Sequence, residues 1–425
     1  MHGTLTVVNT NDSGEGSLRD AIAGACSEMT IAFDNSLNGQ TFTLTSGDIV
    51  ISKNLSIDAS ALDSLIIDGN NNDRLFTVSA GADVTFNGVT MQNGRVSGSS
   101  EGGGLHNSGI VNLAYCNIRN CESAADNGGA IYNAAGASLV VSRSCIYQNM
   151  AEEEGGGIYS AGDLTVTQST ISGNDGDHGG GIYYESGSCE IAGSTITQNT
   201  GRLGGGLGWS GSNANLSVSG SIIAGNTVST GWGHDILPTS SANPIISQGH
   251  NILGRDPVNF FTKTNSDFEG SPSSPIDALL EPLAFNGGKT PTHALLCGSP
   301  ASDNGQPVLL ENTDQRGFPR EKFGTQDIGA HENDVDQSNP EVVVTNTNDS
   351  GPGSLRDAVA ASACVPRITF DAALNGQTIT LTTGQITISQ DLIIDASGLD
   401  SLLIDGNNNC LLYTSDAADD AICVG

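Results

Sequence analysis

The chain has 425 residues and a formal net charge of −32, since 47 Asp and Glu outnumber 15 Lys and Arg. This balance repels nucleic acid and anionic membrane surfaces, so both are disfavoured as partners. Short apolar runs among 56 Gly and many Ser, Thr and Asn predict short strands separated by frequent turns. No apolar run reaches the length of a membrane-spanning helix.

The first predicted element is an N-terminal cap with the first coils, residues 4–60. The stretch NTNDSGEGSLRDA (9–21) contains a turn cluster, then Ser17 as a helix N-cap with Asp20 three residues on, then a short apolar helix face. A loop like that of an EF-hand is the alternative, but Asn9 stands where such a loop begins with Asp. The opening MHGTLTVVNT lacks the basic start and apolar core of a secretory signal, so we expect an upstream piece to be missing.

Residues 61–260 contain a repeat of about 25 residues. A Gly-rich motif begins each unit, as EGGGLHN, NGGAIYN, EGGGIYS, HGGGIYY and LGGGLGW near residues 101, 127, 154, 178 and 203. Three columns of apolar residues recur in register with the closing residue of each unit. They are Val84, Val111, Leu139, Leu164, Cys189 and Leu216; Phe86, Leu113, Val141, Val166, Ile191 and Val218; and Met91, Ile118, Ile146, Ile171, Ile196 and Ile223.

The first two columns differ by two residues, which is the period of a strand. A unit of about 25 residues is too short for a strand with a crossover helix, and it suits one coil of short strands that pair with the next coil. Such crossovers are nearly always right-handed. The pattern therefore predicts an all-β, right-handed parallel β-helix (a solenoid) of roughly nine coils, with a closing Asn column that can hydrogen-bond along the stacked turns. A β-sandwich and a propeller are the alternatives.

Acidic residues precede the Gly runs on neighbouring coils: Asp126, Glu153, Glu154 and Asp177. Stacked carboxylates repel one another, and oxygen-rich stacks attract Ca²⁺. The pattern predicts a calcium site, and a solvated acidic turn is the alternative. No other cofactor is indicated.

One aromatic residue per coil follows the inward residue of the Gly-rich motif: His106, Tyr132, Tyr159 and Tyr183, with Trp209 one position off this column. A residue next to an inward one points outward. The column predicts a platform for sugar rings or a partner, and rings that stack on each other to shield the sheet are the alternative.

The nine cysteines form no CxxC pair and no zinc spacing, so we expect small buried hydrophobes in preference to a disulfide framework. His250 and His293 are expected to be structural.

The last part of the chain divides into a C-terminal segment (261–334), a linker (335–341) and the start of a second module (342–409). Adding 337 to a residue number between Leu5 and Asn72 gives its partner in that second module, and the phrase of residues 9–21 returns as NTNDSGPGSLRDA. The second module is expected to be a truncated copy. CLLYTSDAADD (410–420) resembles the conceptual translation of a sequencing adapter, so residues 410–425 are expected to be an artefact.

Several motifs carry a resemblance to a known family. NTNDSGxGSLRDA followed by IAFD or ITFD resembles the start of bacterial secreted parallel β-helix proteins of the pectate-lyase-like superfamily. The GGGIY and STIxxN coils resemble polymorphic outer-membrane protein repeats. NGGKTPTHALLCGSPASDNG (286–305), TDQRGFPR (313–320) and DIGAHE (327–332) resemble the choice-of-anchor Q domain. The resemblance implies export and an extracellular or cell-surface setting, and it implies no catalytic residues.

We therefore expect a non-catalytic module of an exported surface protein, an adhesin or stalk that binds glycans or a neighbouring cell along one face. The alternative is a polysaccharide lyase or glycoside hydrolase. Enzymes of this fold handle acidic sugars with clustered carboxylates or with basic residues and Ca²⁺. The sequence contains neither an Asp pair with nearby His and Arg-x-Lys nor an Arg-rich signature, which favours the non-catalytic role.

Overall fold

The structure, a computed structural model, describes residues 3–210, 215–229, 233–238, 243–256, 260–306, 312–320, 325–333, 341–361, 367–388, 392–407 and 413–414. The chain forms two compact units. Unit 1 consists of Met1–Leu295 and Ser299–Glu332, and unit 2 consists of Leu296–Gly298 and Asn333–Gly425. The predicted domain boundaries stay predictions.

Short strands recur along the described residues of unit 1. They are β1 (Thr4–Val7), β2 (Met29–Phe33), β3 (Thr41–Thr43), β4 (Ile49–Ile51), β5 (Leu55–Asp58), β6 (Ile66–Asp68), β7 (Phe76–Val78), β8 (Asp83–Asn87), β9 (Thr90–Gln92), β10 (Arg95–Val96), β11 (Leu105–Asn107), β12 (Ile110–Ala114), β13 (Asn117–Arg119), β14 (Glu122–Ser123), β15 (Ile131–Asn133), β16 (Ser138–Ser142), β17 (Cys145–Tyr147) and β18 (Met150–Ala151). They continue as β19 (Ile158–Ser160), β20 (Asp163–Thr167), β21 (Thr170–Ser172), β22 (Asp175–His178), β23 (Ile182–Tyr184), β24 (Ser188–Ala192), β25 (Thr195–Thr197), β26 (Thr200–Leu203), β27 (Leu207–Trp209), β28 (Asn215–Ser219), β29 (Ile222–Ile223), β30 (Thr227–Val228), β31 (Ile236–Pro238), β32 (Ile245–Ser247), β33 (Ile252–Leu253), β34 (Phe261–Thr262) and β35 (Phe268–Glu269).

These strands stack into four sheets along one solenoid. Sheet A has eleven strands, in the order β1-β2-β5-β8-β12-β16-β20-β24-β28-β32-β34. Sheet B has ten strands, in the order β3-β6-β9-β13-β17-β21-β25-β29-β33-β35. Sheet C has eight strands (β4, β7, β11, β15, β19, β23, β27, β31) and sheet D has six (β10, β14, β18, β22, β26, β30). Every pairing between these named strands is parallel, as between β12 and β16, so unit 1 is a parallel β-helix and neither a sandwich nor a propeller. The prediction of nine coils was too low, because sheet A alone has eleven strands.

The three predicted apolar columns are confirmed residue by residue. Val111 pairs with Leu139 and Leu139 with Leu164 in sheet A, and Ile118 pairs with Ile146 in sheet B. All of their members are at most 1% exposed. Burial of the apolar columns is the main stabilising contribution, since removing apolar surface from water is worth about 25 cal/mol per Å².

The predicted Asn column is also confirmed as a buried ladder between sheets B and D. Asn149, Asn174 and Asn199 each accept a backbone N–H from the coil before and bond to the next amide side chain at 2.9 Å. The ladder continues to Asn226 and ends on the carboxylate of Asp235, 3.0 Å from the Asn226 side chain. Burial raises the pKa of Asp235 to about 6. The ladder satisfies amide groups that would otherwise be buried without partners.

The Gly runs occupy a bend where adjacent coils touch. Gly155 has a φ of 69°, and a Cβ added to Gly156 would lie 2.1 Å from the carbonyl oxygen of Asp175. A side chain at either position would therefore strain or displace the backbone.

Helix α1 (Leu18–Gly24) follows β1 and buries Leu18 and Ile22. The predicted N-cap is confirmed, because Ser17 Oγ accepts the backbone N–H of Asp20 at 3.2 Å. Asp12 binds Arg19 at 2.9 Å, so this loop is held by a salt bridge internal to the protein. A short 3₁₀ helix, Asn35–Leu37, follows β2. The role of α1 as the cap of the solenoid stays a prediction.

Unit 2 contains helix α2 (Leu355–Ala361), the 3₁₀ helix Ala372–Leu374, and seven strands. They are β36 (Glu341–Val344), β37 (Arg367–Phe370), β38 (Thr378–Thr380), β39 (Thr387–Ile388), β40 (Ile393–Ile394), β41 (Leu403–Asp405) and β42 (Tyr413–Thr414). Its strands pair in parallel as β36-β37-β40, β38-β41 and β39-β42. Glu341 pairs with Arg367 as Thr4 pairs with Thr30, at the offset of the sequence repeat. That the second copy is truncated and that its tail is an artefact remain predictions, and residues 415–425 lie outside the described part.

Four cysteines confirm the prediction of small buried hydrophobes: Cys116, Cys121, Cys145 and Cys189. Burial raises the pKa of Cys116 and of Cys121 to about 12, so neither thiol is reactive at neutral pH. Cys26 and Cys297 are also free, and the remaining three cysteines lie outside the described residues. In the described ranges, no helix is long and apolar enough to cross a membrane.

Candidate functional site: the aromatic ladder and the return segment

Sheet C aligns four aromatic side chains on the outside of the solenoid. Strands β11, β15, β19 and β23 pair in register and bring together His106, Tyr132, Tyr159 and Tyr183. Successive ring centroids lie 5.1, 5.0 and 5.6 Å apart, with interplanar angles of 23°, 2° and 14°. We call this stack the aromatic ladder. Its predicted alignment is observed.

The ladder does not present free ring faces to solvent. Tyr159 and Tyr183 are only 7% and 5% exposed, and His106 and Tyr132 are half-buried. Because the rings lie face to face, each inner ring is covered on both sides by its neighbours. The prediction of exposed faces for sugar rings was therefore wrong for the inner rings. The alternative, rings that stack on each other and shield the sheet, describes the geometry.

The polar atoms of the ladder are directed at carboxylates. Tyr159 Oη donates to Glu185 Oε2 at 2.7 Å. Burial, with the nearby Glu185, raises the pKa of Tyr159 well above its usual range. Burial and Glu101 likewise raise the pKa of Tyr132 to about 12. The phenols therefore stay protonated at neutral pH and act as hydrogen-bond donors.

Trp209 is not part of the aromatic ladder. It pairs with Tyr184, while Gly208 continues the ladder column beside Tyr183. The Trp209 side chain is fully buried, its Nε1 donates to Asn243 O at 3.0 Å, and its ring meets Phe260 edge-on at 5.9 Å. The prediction of Trp209 as a ligand-binding residue was wrong because the strand alternation points it into the core.

The four acidic residues of the predicted calcium site lie on neighbouring coils. Asp177 is bound by Arg202 at 2.6 and 2.9 Å, which lowers its pKa, and Glu154 lies 3.5 Å from His178 Nδ1. Burial and then the charge of Asp126 raise the pKa of Glu153. Within the described ranges, no three His, Cys, Asp or Glu side chains converge closely enough to hold a metal ion. The predicted calcium site stays a prediction, and two of its four carboxylates have basic partners.

The C-terminal part of unit 1 returns along the outer face of sheet B. We call its described residues, 281–295, 299–306, 312–320 and 325–332, the return segment. Lys289 Nζ donates to the carbonyls of Ser60 and Leu62, and Asn117 Nδ2 donates to the Lys289 carbonyl at 3.3 Å. At the other end, Gly329 N donates to Gly220 O at 2.9 Å. The return segment therefore bonds to successive coils along much of the solenoid.

Between these ends, buried side chains attach the return segment to single strands. Thr170 Oγ1 donates to Gln315 Oε1 at 2.7 Å, and Ala330 N donates to Thr195 Oγ1 at 3.0 Å. His293 Nε2 lies 2.9 Å from Ser172 Oγ. His293 is buried, as expected for a structural residue, whereas His250 bonds through Nδ1 to the Asn304 carbonyl at 2.7 Å.

A buried charge network links parts of the return segment to one another and to the solenoid turn at Gly193. Arg316 and Asp314 form a salt bridge of 2.8 Å with side chains that are 1% and 0% exposed. Arg320 donates to the carbonyls of Gly193 and Gly329. Glu332 Oε2 accepts Asp327 N at 2.9 Å and lies 4.0 Å from Arg320. Burial and Asp327 raise the pKa of Glu332 to about 8.

The sequence patterns did not single out this network. One signal in the sequence could have revealed it. The chain has only 15 Lys and Arg, and two of them lie with three acidic residues in the motifs TDQRGFPR and DIGAHE. Isolated buried charges are costly, so charged residues that recur in an apolar context indicate paired partners.

Comparisons with known proteins are sparse. No family model matches the chain, and no curated protein matches it. Among solved structures, the chain is similar to one described as the crystal structure of pectate lyase Pel9A, at 13% identity and a TM-score of 0.48, covering 78% of this chain and 96% of that chain. The parallel pairing of the strands of unit 1, as between β12 and β16, establishes the parallel β-helix.

Proposed function

We propose that the chain is a non-catalytic module of an exported bacterial cell-surface protein, in which the β-helix serves as an adhesin or stalk. One observation carries this proposal: the return segment bonds lengthwise along the solenoid, from the turn at Ser60 to Gly220. A solenoid contacts only neighbouring coils and can lose its coils one by one. The return segment adds contacts between distant coils, as a module under tension requires.

The resemblance to the choice-of-anchor Q domain supports the surface setting. The residues of its three motifs are those that attach the return segment, among them Lys289, His293, Gln315 and Arg320. The Gly-rich motifs and the Asn column are the residues that carry the resemblance to polymorphic outer-membrane protein repeats, which supports the same setting. The proposed location is extracellular or on the cell surface.

The proposed partners are neutral glycans or the surface of a neighbouring cell. The net charge of −32 disfavours anionic polymers. His106 ends the aromatic ladder, and its ring and the uncovered edge of the half-buried Tyr132 are the parts that a ligand can reach. Tyr159 stacks on Tyr132, and Tyr183 stacks on Tyr159.

A pulling experiment on the full chain tests the stalk role. Unit 1 is expected to unfold in one high-force step. The double variant T170V/Q315M removes the central attachment and is expected to convert this into several smaller steps. The matched control T165V changes a half-buried Thr on sheet A and should behave as the wild type. Stepwise unfolding of the wild type at low force would contradict the proposal.

A second candidate function is a polysaccharide lyase or hydrolase, favoured by one depression on the outer face of sheet A. It has a volume of about 280 Å³, and its lining includes the carboxylates of Glu28 and Asp83 with the hydroxyls of Thr30 and Ser56. Paired carboxylates are the catalytic groups of most glycoside hydrolases. The full chain should be incubated with neutral and acidic polysaccharides and assayed for reducing ends and unsaturated products. Products that disappear in both E28Q and D83N would establish the enzyme and end the non-catalytic proposal.

A further inference from the structure

His293 lies at the interface between the return segment and sheet B. It is 1% exposed, with Nδ1 2.6 Å from the carbonyl of Glu281 and Nε2 2.9 Å from Ser172 Oγ. A carbonyl only accepts hydrogen bonds, so Nδ1 carries the proton and Nε2 accepts the Ser172 hydroxyl. The imidazole is therefore neutral in this arrangement. Once protonated, Nε2 would donate to Ser172 Oγ instead, and a positive charge would be buried at the interface.

The surroundings of His293 are poor in negative charge. In sheet B, Ser172 is flanked by Tyr147 and Thr197, and the Tyr147 phenol receives a hydrogen bond from Arg119 at 3.1 Å.

The return segment itself presents two titratable residues near His293. Glu281 has an exposed side chain and bonds through its carbonyl, and His331 bonds to the adjacent Thr292 at 2.9 Å. Burial lowers the pKa of His293, and the bond to Glu281 offsets this only in part. Among the hydrogen-bond and ion-pair contacts described, none pairs His293 with a carboxylate.

We propose that the return segment is an acid-sensitive latch: protonation of His293 releases its central part from sheet B and uncovers the polar strip of Thr170, Ser172 and Thr195. A buried imidazolium without a counterion costs free energy that release into water recovers. The inference goes beyond the adhesin role and does not rest on it. Hydrogen exchange with solvent distinguishes the closed latch from the released one whatever the protein binds.

The direction of the pH effect follows from the two states. His293 has its ordinary pKa of about 6.5 in the released state and a lower pKa in the closed state. The closed state is therefore fully favoured above about pH 6.5 and loses stability as the pH falls below this value. Each unit between the two pKa values corresponds to a tenfold change in the closing equilibrium.

Hydrogen exchange of the full chain, measured by mass spectrometry near neutral pH and at about pH 5, tests the latch. After correction for intrinsic rates, peptides from 281–295 and from β21 are expected to exchange faster at the lower pH, because the closed state loses stability there. Peptides from β20 and β24, in sheet A, should not change and serve as the internal control.

Two variants separate His293 from other titrating groups. H293Q should remove the pH response of the latch peptides, whereas H250Q, which changes a half-buried histidine bonded to Asn304, should keep it. Unchanged protection of residues 281–295 at the lower pH would overturn the proposal, and so would a full response in H293Q. If H293Q does not fold, the pKa of His293 is measured from the imidazole signals of the native protein. An ordinary pKa for His293 would also overturn the proposal.

Discussion

Thr170 and Gln315 lie 145 residues apart in the chain, yet their side chains meet in the protein interior at 2.7 Å. Both residues are fully buried. The Gln315 amide also donates to Thr290 Oγ1 and to the Pro291 carbonyl, each at 2.9 Å. One amide thus joins strand β21 to two parts of the return segment, and the register of that segment on the solenoid depends on it.

We expect the substitution T170V to destabilise unit 1 by about 1–3 kcal/mol, because it leaves the Gln315 carbonyl oxygen buried without this donor. The double variant T170V/Q315M should cost less than the sum of the two single variants, since removing both partners removes the unpaired group. Urea unfolding measures all three free energies, and T165V is the control. Additive costs would mean that the two side chains do not interact.

The Asn ladder predicts a larger effect. In N174A, four bonds to Asn149, Asn199 and Ile146 are lost in a buried site. We expect a loss of about 3 kcal/mol or more, as several buried polar groups lose partners together. The variant N112A changes a half-buried Asn on sheet A and should cost less than about 1 kcal/mol. Equal effects of the two variants on the urea midpoint would contradict a role for the ladder in stability.

Removal of the Tyr159 ring is expected to lower stability, whereas an exposed platform residue would lose only glycan binding. The Tyr159 ring is stacked on both sides and 7% exposed, so Y159A should destabilise unit 1 by about 2–4 kcal/mol. Y159F keeps the stack and loses only the bond to Glu185, for which we expect about 1 kcal/mol. Calorimetric melting compares the two variants. A stable Y159A that has lost glycan binding would restore the platform hypothesis.

Y132A tests the uncovered edge of Tyr132 as a contact for glycans. Tyr132 is half-buried, so its removal should lower retention on a neutral glycan surface while costing less stability than Y159A. Binding is measured on a glycan array and stability by urea unfolding of the same preparation. Retention equal to that of the wild type would exclude Tyr132 as a contact residue.

Glu332 makes stability fall towards alkaline pH. Its pKa is raised to about 8 in the folded protein, first by burial and then by the charge of Asp327, and Arg320 lies 4.0 Å away. The folded state therefore binds the proton more tightly than the unfolded state, whose Glu has a pKa of about 4.3. This contribution is fully present below about pH 4 and is lost as the pH rises towards 8. Urea unfolding at about pH 5 and pH 8 should show a smaller decrease for E332Q than for the wild type.

The sequence by itself determined the parallel β-helix. A repeat near 25 residues leaves room only for short strands, and identical spacing of the apolar columns forces Val111 to lie beside Leu139 in the next coil. The ladder of Asn149, Asn174 and Asn199 followed from the same spacing. Local periodicity suffices for such features because each coil contacts its neighbours at a constant sequence offset.

Only the tertiary structure decided which side chains are accessible. The spacing placed Tyr159 on the outside of its strand, but the rings stacked on its two faces buried it. The position of the return segment could not be predicted from the repeat, because Thr170 and Gln315 are 145 residues apart and the repeat relates only neighbouring coils. Burial and long-range pairing depend on the whole packed arrangement, whereas the period of a strand is a property of a few consecutive residues.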